Sequence, residues 1–151
     1  MADLELPVVF HFAVSIAGAD GSGADAAFRE ATGLESEIEI ETVTEGGENR
    51  FVHRLPKAVK HPNLVLKRGL TSTSSELVKW CKATFENDFT AAITPKSMVV
   101  SLRDAEGDPV ASWSIDRAYP VKWSVGGFDA MKNEIAVETV EFAYNMLKRS
   151  V

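Results

Sequence analysis

Four glutamates at alternate positions, Glu35, Glu37, Glu39 and Glu41, come nearest to chemistry by type and spacing. Carboxylates can hold a divalent cation or share acid–base work. In a strand, same-face neighbours lie about 6.6 Å apart, too far for three to grip one ion. A calcium loop needs an internal glycine for its sharp turn, and this run has none. The run therefore reads as an acidic face in water, since a row of like charges opposes dry burial. Such a face also suits a water-filled lumen that repels anionic surfaces. His11, His53 and His61 lack metal-ligand spacing, and no His-Glu-x-x-His or Cys-x-x-Cys accompanies them. Cys81, the only cysteine, falls within an apolar stripe and reads as a buried, inert thiol. There is no Gly-x-Ser-x-Gly elbow. Gly18, Gly21 and Gly23 lack the Lys-Ser or Lys-Thr that completes a phosphate loop. The residues thus offer no catalytic group, no metal site and no cofactor site. Trp80, Trp113 and Trp123 read as packing groups, with Trp123 partly exposed beside Lys122 and Ser124.

The elements that must carry these residues are mostly strands. Val8 to Ile16 alternates with apolar even positions, Val8, Phe10, Phe12, Val14 and Ile16. A glycine-rich loop covers about residues 17–26. In the segment 35–43 the glutamates take one face and Ile38 and Ile40 the other. Glu45-Gly46-Gly47-Glu48-Asn49-Arg50 follows as a turn or loop. Phe51 to Leu55 and Asn63 to Lys67 are short strands, punctuated by Pro56 and Pro62. Thr73-Ser74-Ser75-Glu76 predicts a capping box with Thr73 as the N-cap. Leu77, Trp80, Cys81 and Phe85 then line one helical face, ending near Asn87 or Asp88. Ser97 to Arg103 and Val110 to Ile115 flank a turn and predict a hairpin. Ala118 to Ser124 is extended, with Pro120 keeping it out of a central strand. Residues 134–144 fit a strand through Ile135, Val137 and Thr139, while their ending fits a helix equally well. Six to eight strands with one helix make a mainly β chain, a sandwich or a barrel.

The chain has 151 residues, 16 basic and 22 acidic, for a net charge of −6. That length predicts one domain spanning 1–151. The acidic balance argues against nucleic acid, whose binding needs a positive field. No apolar run approaches the ~18 residues of a membrane span. Met1 to Glu5 lacks the basic start of a secretory signal. The single cysteine excludes an intrachain disulfide and fits a reducing compartment. Lys57, Lys60, Lys67 and Arg68 form a basic stretch in an acidic protein, which fits charge pairing between molecules or a plain solvated surface equally well, and either better than nucleic acid.

Several segments, in order, resemble the tail tube protein family of contractile phages and contractile injection systems. They are Phe10 to Val14, Phe28 to Leu34, Thr44 to Asn49, Leu55-Pro56, Asn63 to Gly69, the helix with Leu77 and Trp80, Trp113 to Lys122, and Asp129 to Glu141. Thr32 stands where the family usually has serine. The resemblance implies a β-barrel-like tail tube fold with a flanking helix and no catalytic site. It implies an inner-tube subunit that forms homo-hexameric rings, stacked into a hollow conduit inside a sheath. Sheath, baseplate, spike and tube-terminator proteins are the implied partners, with protein cargo in the lumen and no membrane anchor. Assembly is expected in the bacterial cytoplasm, as part of a phage-tail-like particle. Two alternatives stand beside it: a ring at the baseplate that starts the tube, and a monomeric β-sandwich for a small ligand. Three sets of site residues follow as expectations. Glu45, Gly46, Gly47, Glu48, Asn49 and Arg50 form an inter-ring stacking loop. Lys67, Arg68, Glu134, Glu138 and Glu141 lie at subunit contacts. Glu35, Glu37, Glu39 and Glu41 face solvent or the lumen.

Overall fold

Alternating side chains need a sheet that can bury one of its faces, and here the sheet does so by curling. The computed structural model describes residues 10–17, 25–47, 50–69, 75–86, 92–126 and 136–150. Along them run β1 (His11–Ile16), β2 (Asp25–Phe28), β3 (Glu30–Thr32), β4 (Glu37–Val43), β5 (His53–Lys60), β6 (Leu64–Gly69), α1 (Glu76–Phe85), β7 (Lys96–Arg103), β8 (Pro109–Gly126), β9 (Val137–Ala143) and β10 (Met146–Arg149). Eight strands form one sheet in the order β2-β1-β7-β8-β9-β6-β3, with β10 paired to β8. Among the described residues, strands β4 and β5 pair only with each other. All the pairings are antiparallel. The two ends of the large sheet are neighbours in sequence, because only Arg29 separates β2 from β3. β2 pairs with β1 and β3 with β6, and the Arg29 amide donates to the Lys67 carbonyl at 3.0 Å. A sheet whose ends share one stretch of chain must curl, and curling hides edges that would otherwise recruit strands.

Strand β8 turns the corner. Pro109 to Ala118 pairs with β7, and Tyr119 to Gly126 pairs with β9. The change-over falls between Ala118 and Tyr119, just after Arg117, whose φ of 54° is the one positive value outside glycine among the described residues. Pro120 lies inside β8, contrary to expectation. It comes after β7 pairing has ended at Ala118, so one side of the strand is open and a missing N–H breaks no ladder there. Pro56 likewise lies inside β5, opposite Ile40 and beside a register shift, in a ribbon with two free edges.

The inward face carries the core. Leu64, Leu66, Val140, Phe142, Met98, Val100, Ile115 and Val14 meet Leu77, Trp80 and Cys81 of α1. Burying each large side chain is worth about 1.5–3 kcal/mol. The helix starts two residues later than its sequence signal. Its N-cap is Ser75, whose hydroxyl accepts from the Val78 amide; Thr73 lies outside the described residues. Val78 joins the buried face, while Phe85, expected on the stripe, is exposed as the last helical residue. The ambiguous 134–144 segment is strand from Val137, because β6 and β8 supply ladders on both sides of β9. The residues after it form β10 instead of a helix, by pairing with Trp113 to Asp116 of β8. Residues 8–9 and 18–24 of the expected first strand and loop lie outside the described residues, and β2 begins at Asp25.

Positive φ costs a β-branched residue more than a glycine. Arg117→Gly is expected to leave the urea midpoint at or above the wild-type value. Arg117→Val is expected to lower stability by about 1–2 kcal/mol. Equal stability of the two variants would show that the corner is unstrained.

Candidate functional site

The β4–β5 ribbon is the part of the subunit that its own core does not complete. Cross-strand partners share a face, so Ile38 with Val59 and Ile40 with Pro56 form one side. Glu37, Glu39 and Glu41 take the other, with Lys60 opposite Glu37 and Leu55 opposite Glu41. Among the described residues nothing covers the apolar side: Ile38 is 52% exposed and Val59 55%. Every residue of β5 is exposed. Glu35, Glu37 and Glu41 are exposed and Glu39 is half-buried. Glu39 forms an ion pair with Lys60, and that contact holds the Lys60 ammonium above its ordinary range. An exposed pair of this kind adds little stability.

At the tip, Gly46 and Gly47 form the turn, and Gly47 has a φ of 93°. A side chain at either would meet open space. Glu45 lies 3.5 Å from the His53 imidazole, and the Phe51 ring stands edge-on to His53 at 5.3 Å. Arg50 is exposed; Glu48 and Asn49 lie outside the described residues.

The residues expected at subunit contacts separate into two groups. Lys67 and Glu141 stay near the surface, 4.0 Å from Glu30 and 3.7 Å from Lys122 respectively. Glu134 lies outside the described residues. Arg68 and Glu138 correct the expectation: they are 4% and 1% exposed and turn inward, leaving no surface for a neighbouring subunit. They are directly opposite each other on β6 and β9. The Arg68 Nε donates to Glu138 Oε2 at 3.1 Å, and the Trp123 indole N–H donates to Oε1 at 2.8 Å. Arg68 Nη2 donates to the Ser75 hydroxyl at 3.0 Å, and the guanidinium lies 4.5 Å over the Phe28 ring. The sequence carried a signal for this. Arg68 is in phase with Leu64 and Leu66, and Glu138 with Val140 and Phe142.

Other chemistry-bearing groups are tied into the fold. Asp104, Glu106 and Asp108 bring carboxylates within 4.8 Å of one another on the β7–β8 turn. Asp104 Oδ1 there accepts the amides of Glu106 and Asp108, each at 3.0 Å, so it shapes the turn. A groove of about 390 Å³ between α1 and residues 92–96 is bordered by Glu76, Lys79 and Lys96. At its floor the Trp80 indole N–H donates to the Thr94 carbonyl. Cys81 is fully buried. Burial first, and then the Glu138 carboxylate, push its thiol from 9.0 up to about 12.

Against this geometry, a model of the T4-like virus tail tube protein gp19 family matches residues 8–148. A chain of the anti-feeding prophage baseplate, solved with 6-fold symmetry, is 25% identical with a TM-score of 0.74, covering 99% of this chain and 97% of that one. A chain of the extended sheath–tube complex of an extracellular contractile injection system is 21% identical with a TM-score of 0.75, over 99% and 94%. Hcp1 of Salmonella typhimurium shares the fold at 17% identity and a TM-score of 0.58, over 93% and 85%. No curated protein matches the chain by sequence.

Two predictions follow from the buried groups. Removing one partner strands the other charge, so Glu138→Ala is expected to cost about 3–5 kcal/mol in urea unfolding. The double variant Arg68→Met, Glu138→Leu is expected to recover part of that loss. A harmless Glu138→Ala would show that water reaches Arg68. For Cys81, the unfolded thiol ionises above pH 9.0 while the folded one holds its proton to about 12. Between those values the unfolded chain binds fewer protons, so stability falls as pH rises. Cys81→Ala is expected to flatten that slope in a pH series of melts.

Proposed function

The chain belongs to the T4-like tail tube protein family, and from that membership we propose that it is the inner-tube subunit of a contractile injection system or phage-tail-like particle. Six copies form a ring, and rings stack head to tail into a hollow conduit inside a sheath. The work is mechanical: assembly and passage. The observation that carries this reading is the β4–β5 ribbon. A two-stranded ribbon is marginal on its own, and this one exposes Ile38, Ile40 and Val59 together on one side. A second copy of the chain is the occupant that finishes it. Stacking in one direction leaves a contact that never closes on itself, which is what a tube requires.

The similar structures support the assembly. They come from a 6-fold baseplate, a sheath–tube complex, a tube-terminating cap and a sheath/tube terminator. Sheath, baseplate and terminator proteins are thus the proposed partners. The particle assembles in the bacterial cytoplasm and acts outside it. Glu45 to Arg50, at the far end of the ribbon, reaches the adjacent ring. Lys67 and Glu141 lie at contacts within a ring. The acidic side of β4 faces water, in a lumen that carries protein cargo.

Negative-stain electron microscopy of the purified protein across a concentration series tests the reading. Rings with a central hole that stack into tubes are expected. Rings that never stack would make the chain the ring that starts a tube. A monomer at every concentration would overturn the proposal. Deleting Gly46, Gly47 and Glu48 is expected to abolish stacking while sparing the fold. Burying one isoleucine contributes about 1.5–3 kcal/mol, so Ile38→Lys is expected to weaken assembly by about tenfold or more. Normal tubes from both variants would leave the ribbon without a role.

A further inference from the structure

The chain enters the ribbon through Gly33 to Ser36 and leaves it through His61 to Asn63. These two short segments touch each other and the core at one place. Gly33 has a φ of 92°, and a Cβ there would overlap the Asn63 carbonyl, so the outgoing and returning chains lie backbone on backbone. The Tyr144 hydroxyl donates to the Gly33 carbonyl at 2.6 Å and lies 3.5 Å from the Glu35 carbonyl. The His61 ring stacks on the Tyr144 ring with centroids 5.0 Å apart. His61 Nδ1 is 3.0 Å from the Glu35 carbonyl and 3.3 Å from the Ser36 hydroxyl. Tyr144 itself is fixed: it is 7% exposed, belongs to the core cluster, and sits at the joint between β9 and β10. The next residue, Asn145, donates its amide to the Asp116 carbonyl of β8 at 3.1 Å. Burial holds the Tyr144 phenol above its ordinary value, so it remains a donor well into the alkaline range.

We propose that Tyr144, Gly33 and His61 form a locked root that sets the angle at which the β4–β5 ribbon leaves the subunit. They are positioning residues for assembly: they aim the contact surface without being part of it. The proposal rests on the tube reading above. Its physical basis is leverage. An eight-residue strand is about 26 Å long at ~3.3 Å per residue, so a swing of roughly 10° at the root moves the tip by about 4–5 Å. That is close to the ~4.8 Å spacing of neighbouring strands, enough to take the tip out of register with a partner. Among the described residues the ribbon makes no strand pairing with the body, so its aim depends on this root. One aromatic pair and two carbonyls tie both legs of the ribbon to the core sheet, and they do so at the hinge point.

The test uses full-length protein and three variants. Tyr144→Phe keeps the ring stack and loses the hydroxyl. His61→Phe keeps the stack and loses the Nδ1 contacts. Tyr119→Phe, at a half-buried tyrosine paired with Ala143 beside the root, is the control for loosening that does not break the root's own hydrogen bonds. Three quantities are measured: the melting temperature, the protein concentration at which rings stack, and amide exchange across residues 37–60. In Tyr144→Phe and His61→Phe the stacking concentration is expected to rise by about threefold to tenfold, the effect of one neutral hydrogen bond. Amide exchange in the ribbon is expected to quicken, while rings still form and melting stays within a few degrees of wild type. Wild-type stacking in both root variants overturns the proposal. So does a loss of stacking that Tyr119→Phe reproduces, or one that simply follows the melting temperature. Wild-type protein that never stacks overturns the tube reading instead. Ribbon exchange then decides the root by itself, and unchanged exchange in Tyr144→Phe removes it too.

Discussion

A guanidinium and a carboxylate meet inside this subunit at the point where five parts of the fold converge. Arg68 belongs to β6, Glu138 to β9, Trp123 to β8, Phe28 to β2, and Ser75 caps the helix. Charges removed from water must be matched by partners of good geometry, or the fold loses more than it gains. Here each oxygen of Glu138 has its own donor, and Arg68 bonds both the carboxylate and the helix cap. This arrangement needs one register of β6 against β9, since a one-residue slip would put the two side chains on opposite faces and a two-residue slip would take them out of line. The pair therefore fixes sheet register and helix position together, a degree of definition that aliphatic packing alone does not provide.

The same subunit is finished in its body and unfinished at its ribbon. The curled sheet buries one face and hides its ends by letting residues 25–32 serve both. Strands β4 and β5 leave that enclosure and carry isoleucine, valine and leucine into solvent. In the tube proposed above, these residues are the surface that a second copy covers. The two sides of the ribbon also differ in kind, apolar on the side of Ile38 and acidic on the side of Glu37. One sequence pattern thus supplies a surface for protein and a surface for water.

Groups with chemical potential are mostly engaged in holding shape. Cys81 is a packing residue whose thiol is harder to ionise than usual. Asp104 closes a hairpin turn. Trp80 bonds the segment after the helix, and Trp123 serves the buried carboxylate. This distribution suits the structural role proposed above.

Much of this was legible in the residues. Alternation marked β1 and β4, the turn between Arg103 and Val110 marked the β7–β8 hairpin, the spacing of Leu77, Trp80 and Cys81 marked the helix, and the glutamates of β4 share a face as their period requires. Each of these is a local property, fixed by where neighbouring side chains must point. The segment order carried the family, which the match over residues 8–148 established. What the sequence could not reveal depends on meetings between distant residues. Pro120 and Pro56 are tolerated in strands because the adjacent side of each strand is open, a fact of sheet order. Ile38 and Ile40 look like core residues by pattern and are exposed because no layer lies over the ribbon. Arg68 and Glu138 look like surface charges one at a time. Only the pairing of β6 with β9, 70 residues apart in sequence, sets them face to face, and only that contact makes their burial possible.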